Sequence, residues 1–141
     1  MNIKNTQFVF ALLSAANGIE GRLNRVLSNV KGVSFTEYYL LEQLKDLHNG
    51  AATRVDLARA VNLTPSAVTR ALKPLEKIGY VTTQKGERDA RQSLATLTPA
   101  GEELLRDANN LVLDEIASMS IPKNIRAELI QALLNIAPKY S

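Results

Sequence analysis

Thr64-Pro65-Ser66-Ala67-Val68-Thr69-Arg70-Ala71-Leu72-Lys73-Pro74-Leu75-Glu76-Lys77-Ile78-Gly79 is the stretch whose reading decides the fold. Thr64 is a capping residue and Pro65 suits the first helical position, where a missing backbone donor costs nothing. Val68, Leu72, Leu75 and Ile78 recur at helical spacing and form the inward stripe, and Gly79 ends the helix. That stripe leaves Ser66, Ala67, Thr69, Arg70 and Lys73 facing outward. Pro74 removes one backbone donor inside the helix and is expected to bend or loosen it locally. Directly upstream, Thr53-Arg54-Val55-Asp56 opens another helix, with Leu57, Ala58 and Val61 as its buried face. Asn62, a residue that tolerates positive φ, makes a tight turn between the two. Two short helices joined in this way form a helix-turn-helix.

Working outward, Tyr80-Val81-Thr82-Thr83-Gln84 is rich in β-branched and aromatic residues, and Leu94-Ala95-Thr96-Leu97 is a weaker second strand. The polar, charged segment from Lys85 to Gln92 lies between them, so the pair reads as a hairpin placed as a wing. Ser34-Phe35-Thr36-Glu37 is a capping box that opens a helix through Leu40, Leu41, Leu44 and Leu47, with His48-Asn49-Gly50 as its stop. Before it, Phe8, Leu12, Ala15, Ile19, Leu23, Val26 and Val30 line one face of a first helix. After the wing, Thr98-Pro99 launches a helix carrying Leu104, Leu105, Ala108, Leu111, Val112 and Ile116. Pro122 allows one more start, completed by Ile125, Leu129, Leu133 and Ile136. The fold class is therefore mainly α (α+β): one domain over 1–141, with a winged helix-turn-helix lobe over 34–98. The outer segments, 1–33 and 99–141, carry more apolar stripe than so small a core can cover. A homodimer would bury that excess and set two recognition helices about one DNA turn apart on a pseudo-palindromic target.

The 141 residues suit a single domain, and 45% hydrophobic with 22% charged residues is an ordinary globular composition. With no cysteine, disulfides, thiolate catalysis, thiol redox sensing and Cys-based zinc sites are excluded. A single histidine leaves no His-rich metal centre, and no metal or other cofactor is expected. No apolar run approaches the roughly 20 residues that span a bilayer, and Met1-Asn2-Ile3-Lys4-Asn5 lacks a signal-peptide pattern. The chain reads as soluble and cytoplasmic, without a membrane partner. An enzyme would need a nucleophile–base pair or paired carboxylates in a pocket, and no local motif supplies either.

Charge is unevenly placed. The 17 Lys and Arg against 14 Asp and Glu leave a net of +3. Between Thr53 and Arg91 eight basic residues face four acidic ones, a net of +4, and the remainder carries −1. A solvated helix face would explain such a cluster by itself; with a helix-turn-helix and a wing, double-stranded DNA is the better partner, because Lys and Arg displace counterions from phosphates. Residues near the start of a recognition helix reach base edges in the major groove. Arg70 can donate two bonds to a guanine, Ser66 and Thr69 can bond a base or a phosphate, and Ala67 can pack on a thymine methyl. Lys73 lies further along and suits a phosphate. Thr64 joins this set, although capping alone accounts for it. On the wing, Arg88, Asp89 and Arg91 are the candidate contacts. Asp89 and Arg91, two apart, share one side of an extended strand, so Asp89 can orient an Arg91 guanidinium aimed at a narrow minor groove. The alternative is mutual neutralisation on a solvated hairpin.

Taken together, the sequence resembles the MarR family of bacterial winged-helix transcription regulators over nearly its whole length. The resemblance is carried by Asp56-Leu57-Ala58, Leu63-Thr64, Val68-Thr69-Arg70, Leu75-Glu76-Lys77-Ile78-Gly79-Tyr80-Val81, Arg88-Asp89-Ala90-Arg91 and Leu97-Thr98-Pro99-Ala100-Gly101. It implies a homodimer interlocked through the first helix and the two terminal helices, and it matches Asp89 and Arg91 to the family's wing pair. Ala90 departs from the pattern, where a further Arg often stands. Many relatives bind a small aromatic or anionic effector between the dimer helices and the DNA-binding lobe. Arg22, Tyr38, Tyr39 and His48 are the candidates for such a site here, against the plainer readings of core aromatics and a histidine complementing a helix C-terminus. The branch of the family that senses oxidants through cysteine has no counterpart in this chain. The function expected is a sequence-specific DNA-binding regulator, a repressor occluding promoter elements; the alternative is a winged-helix protein-interaction module without DNA binding.

Overall fold

A computed structural model of the chain describes residues 2–47, 51–85 and 93–137. Within them the chain runs α1 (Asn2–Lys31), α2 (Phe35–Asp46), β1 (Ala51–Thr53), α3 (Arg54–Val61), α4 (Pro65–Ile78), β2 (Val81–Lys85), β3 (Ser93–Leu97), α5 (Pro99–Ala117) and α6 (Arg126–Ile136). It is a winged helix-turn-helix, mostly helical with a small antiparallel sheet, flanked by extra helices at both ends.

Local chemistry sets most of the helix starts. The Ser34 hydroxyl accepts from the Glu37 amide at 3.0 Å while the Glu37 carboxylate accepts from the Ser34 amide at 2.8 Å. Thr53 and Asp56 make the same reciprocal box at the head of α3, at 3.0 and 3.4 Å. Thr64 accepts from the Ala67 amide at 3.1 Å, and Thr98 from the Gly101 amide at 3.0 Å. Each such bond satisfies an orphan donor of the first turn and contributes about 1 kcal/mol. Asn62, at φ 59°, ends α3 in the left-handed region and turns the chain into α4; Gly79, at φ 99°, ends α4 the same way. From that end the Tyr80 amide reaches back to the Leu75 carbonyl at 2.9 Å. The Thr98 hydroxyl has a second role, donating to the Gly79 carbonyl at 2.6 Å, while the Thr98 amide donates to the Tyr80 carbonyl at 3.1 Å. The end of α4 and the start of α5 are thereby joined.

The core is built of leucine. Leu27, Leu40, Leu41, Leu44, Leu57, Leu72, Leu75 and Leu105 are completely buried, so α2 is enclosed by α1, α3, α4 and α5. Among the described residues no polar or charged side chain is buried with them. The sheet order is β1-β3-β2, with Val81 opposite Leu97 at the base of the wing and Lys85 opposite Ser93 at its outer end.

Several expectations are corrected. β1 does not announce itself in Ala51-Ala52-Thr53, and exists because it pairs with Thr96, Ala95 and Leu94 of β3. Ile78 is 58% exposed rather than inward: Leu75 is the last residue of the stripe that the core covers, and the helix ends three residues later. Pro74, expected to bend or loosen α4, does not end it: the helix continues to Ile78. In the first helix's apolar stripe only Leu23 is buried, whereas Leu27, outside that stripe, is completely enclosed. α2 stops at Asp46, with Leu47 already extended, and the stop at His48-Asn49-Gly50 lies outside the described residues. The last helix begins at Arg126, four residues beyond Pro122, with no side chain capping it. No helix among the described residues is long and apolar enough to cross a membrane.

Candidate nucleic-acid interface

The row expected to read bases falls on one side of α4. Its opposite side, Val68, Leu72 and Leu75, is buried against the core, and this packing fixes the helix's rotation. Ser66, Thr69, Arg70 and Lys73 are left exposed, and Ala67 is half-buried. Spacings of three and four residues put Ser66, Thr69, Arg70, Lys73 and Lys77 on a single stripe. Among the described residues no hydrogen bond or ion pair engages the side chains of Arg70, Lys73 or Lys77. Thr64 is exposed at the head of the same helix, its hydroxyl oxygen accepting from Ala67. The structure therefore brings together Thr64, at the cap, and the five α4 residues named from sequence. Arg88, Asp89 and Arg91 belong to the segment joining β2 to β3 and lie outside the described residues.

Not all of the basic middle is available to a polyanion. Arg54, first residue of α3, gives its charge to Glu76 of α4: its Nη2 donates to Glu76 Oε1 at 3.0 Å and to Thr83 Oγ1 of β2 at 3.2 Å. The Thr83 hydroxyl donates to the same Glu76 oxygen. Arg59, Arg70, Lys73, Lys77 and Lys85 remain exposed. Sequence reasoning counted Arg54 only as one more positive charge. Its partners stand 22 and 29 residues away, and no local pattern joins them.

Two of the four candidate effector residues, Arg22 and Tyr38, are engaged with α5 and its C-terminal cap. Arg22 pairs with Glu115 at 2.7 Å and donates to the Ser118 hydroxyl at 3.0 Å. Tyr38 donates to Asn109 Oδ1 at 2.6 Å, and Asn109 in turn donates to Glu42 at 3.2 Å. Burial, and then the nearby Glu42 charge, push the Tyr38 phenol above its ordinary pKa. Tyr39 packs its ring against Phe35 with centroids 5.8 Å apart. His48 lies outside the described residues.

α1 and α6 wall an apolar groove of about 570 Å³ lined by Phe8, Leu12, Ala15, Ile19, Leu129 and Leu133 among others. No residue of α6 is buried.

The comparisons with known proteins agree with this architecture. The MarR family pattern matches residues 33–93. The transcriptional regulator AdcR of Streptococcus pneumoniae is 30% identical over 117 residues, which cover 79% of this chain and 77% of that protein. The crystal structure of the transcriptional regulator BldR from Sulfolobus solfataricus matches with a TM-score of 0.86 at 25% identity, covering 94% of both chains. Sco3205, a MarR family transcriptional regulator from Streptomyces coelicolor solved in complex with DNA, matches with a TM-score of 0.84 at 25% identity, covering 92% of this chain and 87% of that one. Capped recognition helix, paired wing strands and flanking helices thus share one explanation: the chain belongs to the MarR family of transcriptional regulators.

Proposed function

We propose that the protein is a sequence-specific DNA-binding repressor that acts as a homodimer on a pseudo-palindromic operator and is released by a small aromatic or anionic molecule. The observation that carries this reading is the exposed row Ser66, Thr69, Arg70 and Lys73 on a helix whose opposite side is locked into the core. A rigid helix with one polar, basic face and its N-terminal half free is what major-groove readout requires. Residues 34–98 form the DNA-reading lobe, with Thr64, Ala67, Arg88, Asp89 and Arg91 completing the contact set. Residues 1–33 and 99–141 pair two copies. The apolar groove between α1 and α6 and the wholly unburied α6 support pairing, since an apolar surface of this extent is costly in water. Repression follows if the operator overlaps a promoter, because a dimer spanning two half-sites excludes polymerase. Release draws on Arg22 and Tyr38, whose polar groups reach α5: a carboxylate or phenol competing for them would shift α5 against the reading lobe.

The test is a gel-shift series with duplex DNA over increasing salt. A protein neutralising several phosphates loses affinity steeply as salt rises. Salt-independent binding, or none, would leave a protein-interaction module in its place. Adding aromatic carboxylates to the bound complex tests release in the same assay.

A further inference from the structure

Three elements of the reading lobe meet at one carboxylate oxygen. Glu76 Oε1 accepts from Arg54 Nη2 of α3 at 3.0 Å and from the Thr83 hydroxyl of β2, and Arg54 also donates to Thr83 at 3.2 Å. Each partner has a defined relation to the contact surface. Glu76 lies six residues after Arg70, nearly two helical turns or about 9 Å further along α4. Thr83 sits in the middle of β2 opposite Ala95 of β3, so whatever holds it holds both wing strands.

The arrangement is poor if its purpose is stability alone. The Arg54 and Glu76 side chains are only 18% and 32% exposed, so both charges are largely removed from water. Arg54 Nη1 is buried with no hydrogen-bond partner among the described residues. Such a pair recovers little net free energy, and an apolar substitute of the same shape would do as well. What it provides instead is direction. A guanidinium and a hydroxyl converging on one oxygen tie α3, α4 and β2 to a common point and so hold α4 and β2 at a set separation.

We infer that Arg54, Glu76 and Thr83 are positioning residues that set the separation between the base-reading face of α4 and the wing, so that both engage one duplex as a unit. The inference rests on the DNA-binding reading above. None of the three needs to touch DNA. With the clamp closed, binding by the helix delivers the wing to its groove; with it open, ordering the wing must be repaid from each contact the wing makes.

A double-mutant cycle tests this, with operator affinity as the readout and thermal melting confirming that each variant folds. In the parent protein Arg91→Ala weakens binding about tenfold; in a Glu76→Gln or Thr83→Val background the same change costs about twofold or less, because the wing is already displaced. Thr83→Ser keeps the hydroxyl and restores the tenfold cost. If Glu76→Gln does not fold, Thr83→Val and Thr83→Ser, which alter no charge, carry the test alone. Equal losses from Arg91→Ala in every background overturn the inference, as does an Arg91→Ala change without effect in a parent that binds DNA. Absence of salt-dependent binding by the parent is a different failure, and removes the DNA-binding reading itself.

Discussion

Gly101 lies directly against the carbonyl of Tyr80: a Cβ at position 101 would stand 2.2 Å from that oxygen and 2.8 Å from Leu97 Cδ1. Neither the carbonyl nor the buried leucine can retreat freely, because the Tyr80 carbonyl also accepts the Thr98 amide. Helix propensity alone says that Gly101→Ala should stabilise α5 by about 1 kcal/mol. The contact says the opposite. Gly101→Ala is expected to destabilise the fold by about 3 kcal/mol in denaturant unfolding, and any gain in stability would refute the close approach.

Arg70→Ala is expected to weaken operator binding by roughly 1–3 kcal/mol and to relax preference at one base pair of each half-site. Selection of bound sequences by the variant and the parent measures both effects. An equal loss on every duplex would reassign Arg70 to a phosphate. Melting should be unchanged, since the side chain is exposed and unengaged.

Leu133→Glu places a charge in the groove between α1 and α6. It is expected to weaken self-association by about a hundredfold or more, read by sedimentation across a dilution series. Within one copy Leu133 is not part of the buried core, so far-ultraviolet circular dichroism should hold.

The Tyr38 phenol titrates above its unfolded value of about 10. The folded state then binds the proton more tightly than the unfolded state between the two values. Its contribution is fully present below the unfolded value and is lost as pH rises through the folded one. Stability is therefore expected to fall above about pH 10, and Tyr38→Phe should flatten that limb in urea titrations at successive pH values.

How much of this was legible beforehand depends on the distance over which each feature is determined. The caps at Ser34, Thr53, Thr64 and Thr98 rest on bonds spanning three residues, and the sequence carries them openly. The left-handed turn at Asn62 and the exposed row on α4 were legible for the same reason. Features decided by distant partners were not. β1 is a strand only because β3 lies beside it, and Ala-Ala-Thr has no pattern of its own to show. Ile78 continued the helical period of Leu75, yet the period says nothing about where the core stops. Arg54 is indistinguishable in sequence from a phosphate contact until Glu76 and Thr83 are found against it. The resemblance singled out Gly101 as part of a motif; the Tyr80 carbonyl supplies the physical reason for it.

The bonds made by Thr98 bear on how tightly α4 and α5 are coupled. Its hydroxyl holds the Gly79 carbonyl at 2.6 Å and the Gly101 amide at 3.0 Å, so the last turn of α4 and the first of α5 share a common pin. From that pin α5 extends 19 residues, a lever of about 28 Å. A displacement of about 2.5 Å at its far end, where Arg22 grips Glu115 and Ser118, would correspond to a tilt of roughly 5° at the pin. Because α5 also carries Leu105 of the core, a tilt of this size would be felt at the root of α4 and in the leucine packing between them alike.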